Sequence, residues 1–306
     1  MNAVAEIHSS ITRAVEQVGP AVVGVGRGWR LGSGVVVADG TILTNAHNLR
    51  GDEVDVVTGD GRRLAGEVRG VDVEGDLAVV GADTAGLAAV AWEPTDGPPS
   101  LGTPVVALAN PGGRGLRASF GFVSGLGAGP RGPRGRAVPG ALEHTAPLPR
   151  GSSGGPLVDA ELRLLGLNTA RLEGGLILAL PADEPMRRRV EELARGQEPT
   201  HRRLGVAVAP GRVARRLRRS VGLPDRDGLL VRDVASDGPG HAAGLEPGDL
   251  LVSAAGRPVT RVDDLVTALD ELAGGARLEL GVVRGADERT VSVAFDAVEA
   301  AGAGTA

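Results

Sequence analysis

Short apolar runs separated by turn residues dominate the chain up to about residue 181. Segments such as 38–40 (ADG) and 58–61 (TGDG) combine Gly and Asp, which favour tight turns. Many short strands with turns at this spacing are typical of antiparallel barrels or sandwiches. We predict strands at 21–26, 33–38, 41–46, 53–58, 77–82, 104–109, 119–126, 156–170 and 175–181.

Two helices flank this β-rich region. Residues 8–18 have apolar positions at helical spacing, and a Gly-Pro pair at 19–20 ends the run. Its predicted apolar face comprises Ile7, Ile11, Ala14, Val15 and Val18. Residues 182–197 predict a second helix, with Asp183 as its N-cap and Gly196 at its end.

After residue 202 the pattern changes, because strands and short helices now alternate. This alternation favours a small α+β module. We therefore predict a first domain at 1–181, a helical linker at 182–201, a second domain at 202–297 and a disordered tail at 298–306.

Composition excludes several function classes. The chain is 42% hydrophobic and 23% charged, so it can bury a core and fold. Its net charge of −5 gives no general reason to bind nucleic acid. It has no Cys, and its five His lack the spacing of zinc ligands. We expect no disulfide, no metal and no organic cofactor.

The first 26 residues lack the basic start and continuous apolar run of a signal peptide. No segment reaches the ~18 apolar residues that a membrane-spanning helix needs. As written, the sequence predicts a cytoplasmic protein without an integral membrane segment. A true start further upstream would make an extracytoplasmic location the expectation.

The segment 150–159 (RGSSGGPLVD) is either a surface turn or a cradle for a nucleophilic serine. A serine hydroxyl needs a base, a group that orients the base, and donors for the oxyanion. His47 ends a predicted strand and Asp76 begins another, while Asp72 is a rival for the same role. Each residue alone also fits an ordinary structural role. Their joint occurrence carries the interpretation.

Five segments occur in the order found in one protease family: GSGVVVADGTILTNAHNL, DVEGDLAVV, ANPGGRGLRASFGFVSG, GSSGGPLVD and LLGLNTA. From about residue 8 to 181 the chain resembles the trypsin-like serine proteases of the HtrA/Deg type. The resemblance implies a mainly β fold, a chymotrypsin-like double β-barrel with the active site in the cleft between the barrels.

The resemblance also implies roles for individual residues. His47 would be the general base, Asp76 its orienting partner and Ser153 the nucleophile, with the backbone N–H groups of Gly151 and Ser153 as the oxyanion hole. The pocket walls are expected from Asn168, Thr169, Ala170, Leu176, Ile177 and Leu178. They carry no charge, which favours cleavage after small or medium aliphatic residues such as Val, Ala or Leu.

The sequence departs from the family pattern at several positions. Ser152 stands where the family usually has Asn, and Asn48 follows the histidine where Val is usual. The segment 144–151 (HTAPLPRG) is one residue shorter than usual and carries two prolines. The N-terminal aromatic residues through which many members form trimers are missing. The resemblance therefore leaves a trimer as one possible assembly but does not establish it.

Residues 202–296 resemble a PDZ domain, most clearly in GLLVRDVASDGPGHAAGLEPGDLLVSAAGRPV and RVDDLVTALDEL. Successive N–H groups near residues 203–206 would bind a terminal carboxylate, and the peptide would add as a strand beside 205–209. The predicted peptide site comprises Arg203, Leu204, Gly205, Val206, Leu265 and Leu269. Leu269 fits a pocket lining and a core position equally well.

A basic run in the second domain has two interpretations. It consists of Arg212, Arg215, Arg216, Arg218 and Arg219. We favour the solvated face of a helix, with Val213, Leu217 and Val221 packed inside, over a nucleic-acid or lipid patch.

These observations favour a serine endopeptidase of protein quality control and stress response. It would cleave unfolded or damaged proteins and recognise apolar C-termini through the PDZ domain. The alternative is a catalytically silent chaperone or scaffold of the same fold that binds C-terminal peptides. A weaker third possibility is an esterase-like hydrolase acting on small acyl substrates.

Overall fold

The computed structural model describes residues 2–27, 30–93, 97–127, 140–197, 202–209, 211–220, 222–270, 272 and 277–295. The chain divides into two compact units, Met1–Pro199 and Thr200–Ala306. The tail predicted at 298–306 lies outside the described residues.

The first unit begins with an antiparallel closed barrel of six strands, in the order β1-β2-β3-β6-β5-β4. Its strands are β1 (Val22–Arg27), β2 (Arg30–Ala38), β3 (Thr41–Thr44), β4 (Glu53–Val57), β5 (Arg63–Asp72) and β6 (Leu77–Ala82). Strand β5 is absent from the predicted strands. Charged residues at 63, 67 and 69 face solvent and interrupt its apolar pattern.

A second closed barrel follows, in the order β10-β11-β12-β9-β8-β7. Its strands are β7 (Pro104–Ala109), β8 (Arg117–Leu126), β9 (Leu142–His144), β10 (Pro156–Val158), β11 (Leu164–Arg171) and β12 (Ile177–Pro181). The single run predicted at 156–170 is two strands, because the chain turns at Asp159, whose backbone N–H donates to the carbonyl of Arg163. The short strand β9 was not predicted. The mainly β, double-barrel fold class is confirmed.

Helix α1 (Ala3–Gln17) packs against the barrels through a narrower face than the periodicity predicts. Ala14 and Val18 are buried and Ile11 is half-buried. Ile7 and Val15, which share the predicted apolar face, are each 37% exposed.

Helix α2 (Glu184–Ala194) begins where the sequence predicts, because the Asp183 side chain caps it by accepting from the N–H of Met186 at 3.0 Å. We had placed this helix in a linker. Its apolar residues Met186, Val190 and Leu193 instead join the core of the first unit, which makes the helix part of the barrel packing.

The second unit is an antiparallel sheet in the order β13-β14-β15-β17-β18, with β16 paired to β15. Its elements are β13 (Val206–Ala209), α3 (Gly211–Ser220), β14 (Leu229–Val234), α4 (Pro239–Ala242), β15 (Leu250–Ala254), β16 (Arg257–Pro258), α5 (Val262–Asp270), β17 (Arg277–Arg284) and β18 (Asp287–Ala294). Strand β13 lies at one edge of this sheet.

Helix α3 confirms part of the interpretation of the basic run, because Leu217 packs against the core while Arg216 and Arg219 are exposed. Other residues of the helix correct it. Ala214 and Arg218 are buried, whereas Val213 is exposed and Val221 lies outside the described residues. Arg218 donates to the carbonyls of Pro224 and Gly285, both at 3.2 Å. A guanidinium satisfies several acceptors at once, so this arginine holds two turns together rather than facing solvent.

Within the part of the chain that the structure describes, no helix is both long and apolar enough to cross a membrane.

Candidate active site

His47 and Asp76 form a direct pair. His47 lies in a short 3-10 helix immediately after β3, and its Nδ1 is 2.9 Å from both carboxylate oxygens of Asp76. The backbone N–H of His47 also donates to Oδ1 of Asp76 at 3.1 Å. A carboxylate only accepts hydrogen bonds, so Nδ1 carries a proton, and in a neutral imidazole Nε2 then keeps its lone pair. This is the tautomer that a general base requires.

Asp76 sits at the end of the turn before β6 with a φ of +55°, a conformation that non-glycine residues rarely adopt. Its carbonyl accepts from the side chain of Asn45 at 2.9 Å and from the N–H of Ala46 at 3.2 Å. These bonds, together with those to His47, offset the strain and fix the carboxylate.

Asp72, the rival carboxylate, holds the turn that carries Asp76. It is buried, and its Oδ1 accepts from the N–H of Gly75 at 2.7 Å. Its Oδ2 forms an ion pair with Arg189 of α2 at 3.4 Å. Asp76 is therefore the carboxylate placed against His47, and Asp72 is placed to shape the loop.

Thr169 completes the surroundings of Asp76, a role that the sequence analysis missed. Its hydroxyl donates to Oδ2 of Asp76 at 2.7 Å. We had expected Thr169 in the wall of the substrate pocket, but its side chain is buried. A threonine within a strand carries no local signal of this role, because the contact joins β11 of the second barrel to the first.

The hydroxyl of Ser153 donates to the carbonyl of Thr169 at 2.7 Å. Among the described residues, no hydrogen bond joins this hydroxyl to His47. The structure thus brings His47, Asp76 and Ser153 to one place through Thr169.

The backbone around Ser153 requires glycine. Gly154 has a φ of +89°, and a Cβ added there would lie 2.0 Å from the carbonyl oxygen of Ser33. Gly151 has a φ of +86°, and its carbonyl accepts from the Ser33 hydroxyl at 2.9 Å. The cradle interpretation of the segment 150–159 therefore has a steric basis.

Two donors of the cradle stay available. Within the described chain, neither the N–H of Gly151 nor that of Ser153 donates a hydrogen bond. The Ser152 hydroxyl turns away and donates to the carbonyl of Pro149 at 2.8 Å, which stabilises the short proline-containing loop. Ser152 thus has a structural role in this loop.

Asn168 faces the interior of the second barrel, which corrects its expected place in the pocket wall. Its Nδ2 donates to the carbonyls of Gly155 and Pro156 at 2.9 and 3.3 Å. Its Oδ1 is therefore the acceptor for Nε2 of His144, at 2.9 Å. Burial lowers the pKa of His144 to about 4.

The remaining pocket residues differ in accessibility. Leu178 is fully buried and Ile177 nearly so, which removes both side chains from solvent. Ala170 and Leu176 are half-buried. Only these two of the six expected wall residues combine an apolar side chain with access to solvent.

The predicted peptide site of the second unit is partly core. Leu204, Leu265 and Leu269 are buried in one apolar cluster, and Val206 packs against it. For Leu269, this burial supports the core interpretation. Gly205 has a φ of +73° in the loop that precedes β13.

The loop at 203–206 is anchored through its carbonyls. The carbonyl of Leu204 accepts from Gly240 and that of Gly205 from Ala235, both at 2.8 Å. Arg203 is exposed. Within the described residues, the N–H groups of Leu204 and Gly205 donate no hydrogen bond. Two donors are therefore left next to the start of the edge strand β13.

The sequence matches two domain families: the trypsin-like peptidase domain over residues 32–167 and the PDZ domain over residues 203–295. It is 32% identical over 270 residues to a probable periplasmic serine endoprotease, DegP-like, from Halomonas elongata, with 86% of this chain and 56% of the relative covered. A relative of the same description from Bartonella henselae is 30% identical, with 87% and 53% covered. The chain thus spans little more than half the length of these relatives.

Solved structures agree with the sequence matches. The HtrA-type protease AlgW with a tripeptide superposes with a TM-score of 0.79 at 28% identity, covering 92% of this chain and 95% of that chain. The serine endoprotease from Yersinia pestis gives 0.68 at 26% identity, covering 94% and 98%.

The two six-stranded barrels and the matched domain place this chain among the trypsin-like peptidases. Its peptidase domain precedes a PDZ domain. This combination of domains is what the HtrA-type proteases, which the chain resembles, lead one to expect, and it confirms the resemblance found in the sequence.

Proposed function

We propose that this protein is a serine endopeptidase that uses His47, Asp76 and Ser153. The observation that carries the proposal is the double contact of His47 Nδ1 with the Asp76 carboxylate, next to a serine held in a glycine cradle. The names of the relatives as serine endoproteases support it.

The reaction begins when the Ser153 hydroxyl rotates from the carbonyl of Thr169 towards Nε2 of His47. The hydroxyl oxygen attacks the carbonyl carbon of the scissile bond while Nε2 takes its proton. The resulting imidazolium is stabilised by Asp76, whose second oxygen is held by Thr169. The oxyanion of the tetrahedral intermediate accepts from the N–H groups of Gly151 and Ser153.

The intermediate collapses when the C–N bond breaks, and His47 gives its proton to the leaving amine. An acyl ester on Ser153 remains. Water then attacks this ester, with His47 again taking the proton, and the acid product leaves as Ser153 regains its hydrogen. The reaction consumes one water for each peptide bond and needs no metal or organic cofactor.

The primary pocket favours small or medium aliphatic side chains. Its accessible apolar wall consists of Ala170 and Leu176, neither of which carries charge. A profile from a peptide library tests this point. Dominant cleavage after Val, Ala or Leu is the expected result, and a preference for Arg or Asp would contradict it.

The second domain binds the C-terminus of a peptide. The peptide adds as a strand along the free edge of β13, and its carboxylate accepts from the N–H groups of Leu204 and Gly205. Unfolded or damaged proteins with apolar C-termini are thereby brought to the protease, which serves protein quality control. Peptide-bound HtrA-type structures support peptide ligands.

An extracytoplasmic compartment fits this role best. The relatives are named periplasmic, and degradation of misfolded protein is needed outside the cytoplasm as well as within it. Fractionation of the producing cells tests the compartment directly.

A catalytically silent binding protein is the second candidate. The observation that favours it is that the Ser153 hydroxyl donates to the carbonyl of Thr169 rather than to His47. In that case, the same fold would hold peptides without cutting them.

Labelling with a fluorophosphonate probe separates the two candidates, because the probe reacts only with an activated serine. We expect labelling of the wild type and of Ser152→Ala, whose hydroxyl faces Pro149, but none of Ser153→Ala. An unlabelled wild type, even with an apolar C-terminal peptide added, would support the silent binding protein.

A further inference from the structure

Asn48 lies one residue after His47, at a position where the sequence departs from its family. Its side-chain nitrogen donates to the carbonyl of Ser153 at 2.9 Å and to the hydroxyl oxygen of Thr44 at 3.0 Å. The carbonyl of Ser33 lies 3.4 Å from the same nitrogen. A polar side chain of the first barrel therefore reaches the backbone of the proposed nucleophile.

We propose that Asn48 is a positioning residue for Ser153: its amide fixes the carbonyl of the nucleophile and couples the nucleophile to the turn that carries the base. This inference rests on the proposed serine endopeptidase and adds to it a residue that the catalytic triad does not include.

The surroundings fix the orientation of the Asn48 amide. Ser153 and Ser33 present carbonyl oxygens, which only accept. The hydroxyl of Thr44 donates its own proton to the carbonyl of Ser33 at 2.7 Å, so it also acts as an acceptor for Asn48. Three acceptors surround one nitrogen, which shares two hydrogens among them, and a carboxylate of the same shape would face two carbonyl oxygens that cannot donate to it.

Gly32 makes room for this amide. A Cβ added to Gly32 would lie 2.2 to 2.3 Å from the three terminal atoms of the Asn48 side chain. The amide therefore fills a close-fitting site over the backbone of β2. Such packing restricts the side chain to one rotamer, which suits a positioning role.

The peptide that follows Ser153 is held from both barrels. Its carbonyl oxygen accepts from the N–H of Ser33 at 2.8 Å and from Asn48. Its N–H, which belongs to Gly154, donates to the carbonyl of Asn168 at 2.7 Å. Loss of Asn48 leaves one of the two bonds to the carbonyl and lets this peptide tilt, which displaces the hydroxyl of Ser153 relative to His47.

The decisive comparison is Asn48→Asp with Asn48→Ala. Asn and Asp have the same shape, so a residue that only fills space would tolerate Asp better than Ala. A residue that donates to three acceptors gives the opposite order. We expect Asn48→Ala to lower kcat about tenfold with little change in KM, and Asn48→Asp to lower it further.

Thr58→Val is the matched control, because Thr58 is a buried polar residue of the same barrel whose hydroxyl bonds to Asp60 in the turn after β4. Thermal unfolding gives the loss of stability in Thr58→Val. The kcat of the same variant then shows how much activity changes through destabilisation alone. Equal kcat for both Asn48 variants and Thr58→Val, at matched stability, would overturn the proposal.

Hydrogen exchange of residues 150–156 separates this inference from the proposed activity. Faster exchange there in Asn48→Ala but not in Thr58→Val is expected, and it is measurable even on a protein that cuts nothing. A wild type that the fluorophosphonate probe does not label, but that shows this exchange pattern, would refute the protease while supporting the positioning role of Asn48. Unchanged exchange together with a normal labelling rate in Asn48→Ala would refute the positioning role of Asn48 and leave the proposed protease intact.

Discussion

Thr169 donates its hydroxyl to the carboxylate of Asp76 at 2.7 Å, and this bond joins the second barrel to the first. Asp76 therefore depends on both barrels for its orientation. The backbone carbonyl of Thr169 accepts a hydrogen bond from the hydroxyl of Ser153, also at 2.7 Å. One threonine thus contacts the orienting carboxylate through its side chain and the proposed nucleophile through its backbone.

Thr169→Val tests the bond to Asp76 with little change in shape. Without the hydroxyl, Asp76 loses one of the groups that orient it, so we expect kcat on a peptide substrate to fall about tenfold. Thr84→Val is the control. Thr84 is also buried, and its hydroxyl oxygen accepts from Gly40, away from the site. A fall of equal size in both variants would assign the effect to general destabilisation.

The two neighbouring aspartates are expected to fail in different ways. Asp76→Asn keeps the fold but disturbs the tautomer of His47, so kcat should fall by about 10⁴-fold. Asp72→Asn weakens a buried ion pair with Arg189 and should lower the free energy of unfolding by about 3 kcal/mol. Activity per folded molecule should then change much less. Chemical denaturation and active-site titration on each variant measure both quantities, and the reverse pattern would exchange the two roles.

Gly154→Ala should abolish activity, because its Cβ would collide with the carbonyl of Ser33 and displace Ser153. Gly86→Ala provides the comparison. Gly86 has a similar φ of +82° but open space around it. Its replacement by alanine therefore costs only the strain of a positive φ, about 1 kcal/mol. Fluorophosphonate labelling and thermal unfolding are the measurements. Normal labelling of Gly154→Ala would contradict the steric argument for the cradle.

The stability of the first unit should fall on acidification through the titration of His144. Its pKa is about 4 in the folded protein, against 6.5 for an ordinary histidine, because the buried imidazolium lacks solvent. Between these values the unfolded chain binds the proton and the folded one does not, so stability is complete above about pH 6.5 and decreases as the pH falls towards 4. The full loss is about 3 kcal/mol.

His144→Gln removes this titration while keeping a donor for Asn168. The unfolding free energy of the wild type minus that of the variant should therefore decrease as the pH falls from 7 to 4. A difference that stays constant over this range would show that His144 does not control the acid response. Denaturant melts at several pH values supply the comparison.

Local chemistry made much of the fold predictable. The strand at Leu77–Ala82 is a continuous apolar run, and its predicted and observed bounds coincide. Asp183 is a capping residue whose side chain accepts from a helical N–H, so the start of α2 also follows from the sequence. The partly polar strand β5 and the three-residue strand β9 escaped prediction, because each depends on its barrel neighbours for pairing.

The sequence by itself determined the order of the two domains, the type of their strands, and the residues His47, Asp76 and Ser153 as candidates. These features depend on residue type and local spacing, which the sequence displays directly. The tertiary structure alone decided that Asp76 rather than Asp72 lies against His47, and that Thr169 and Asn48 reach the same place. Those contacts join residues from 29 to 105 positions apart, and only the closure of two barrels brings such distant side chains within hydrogen-bonding distance.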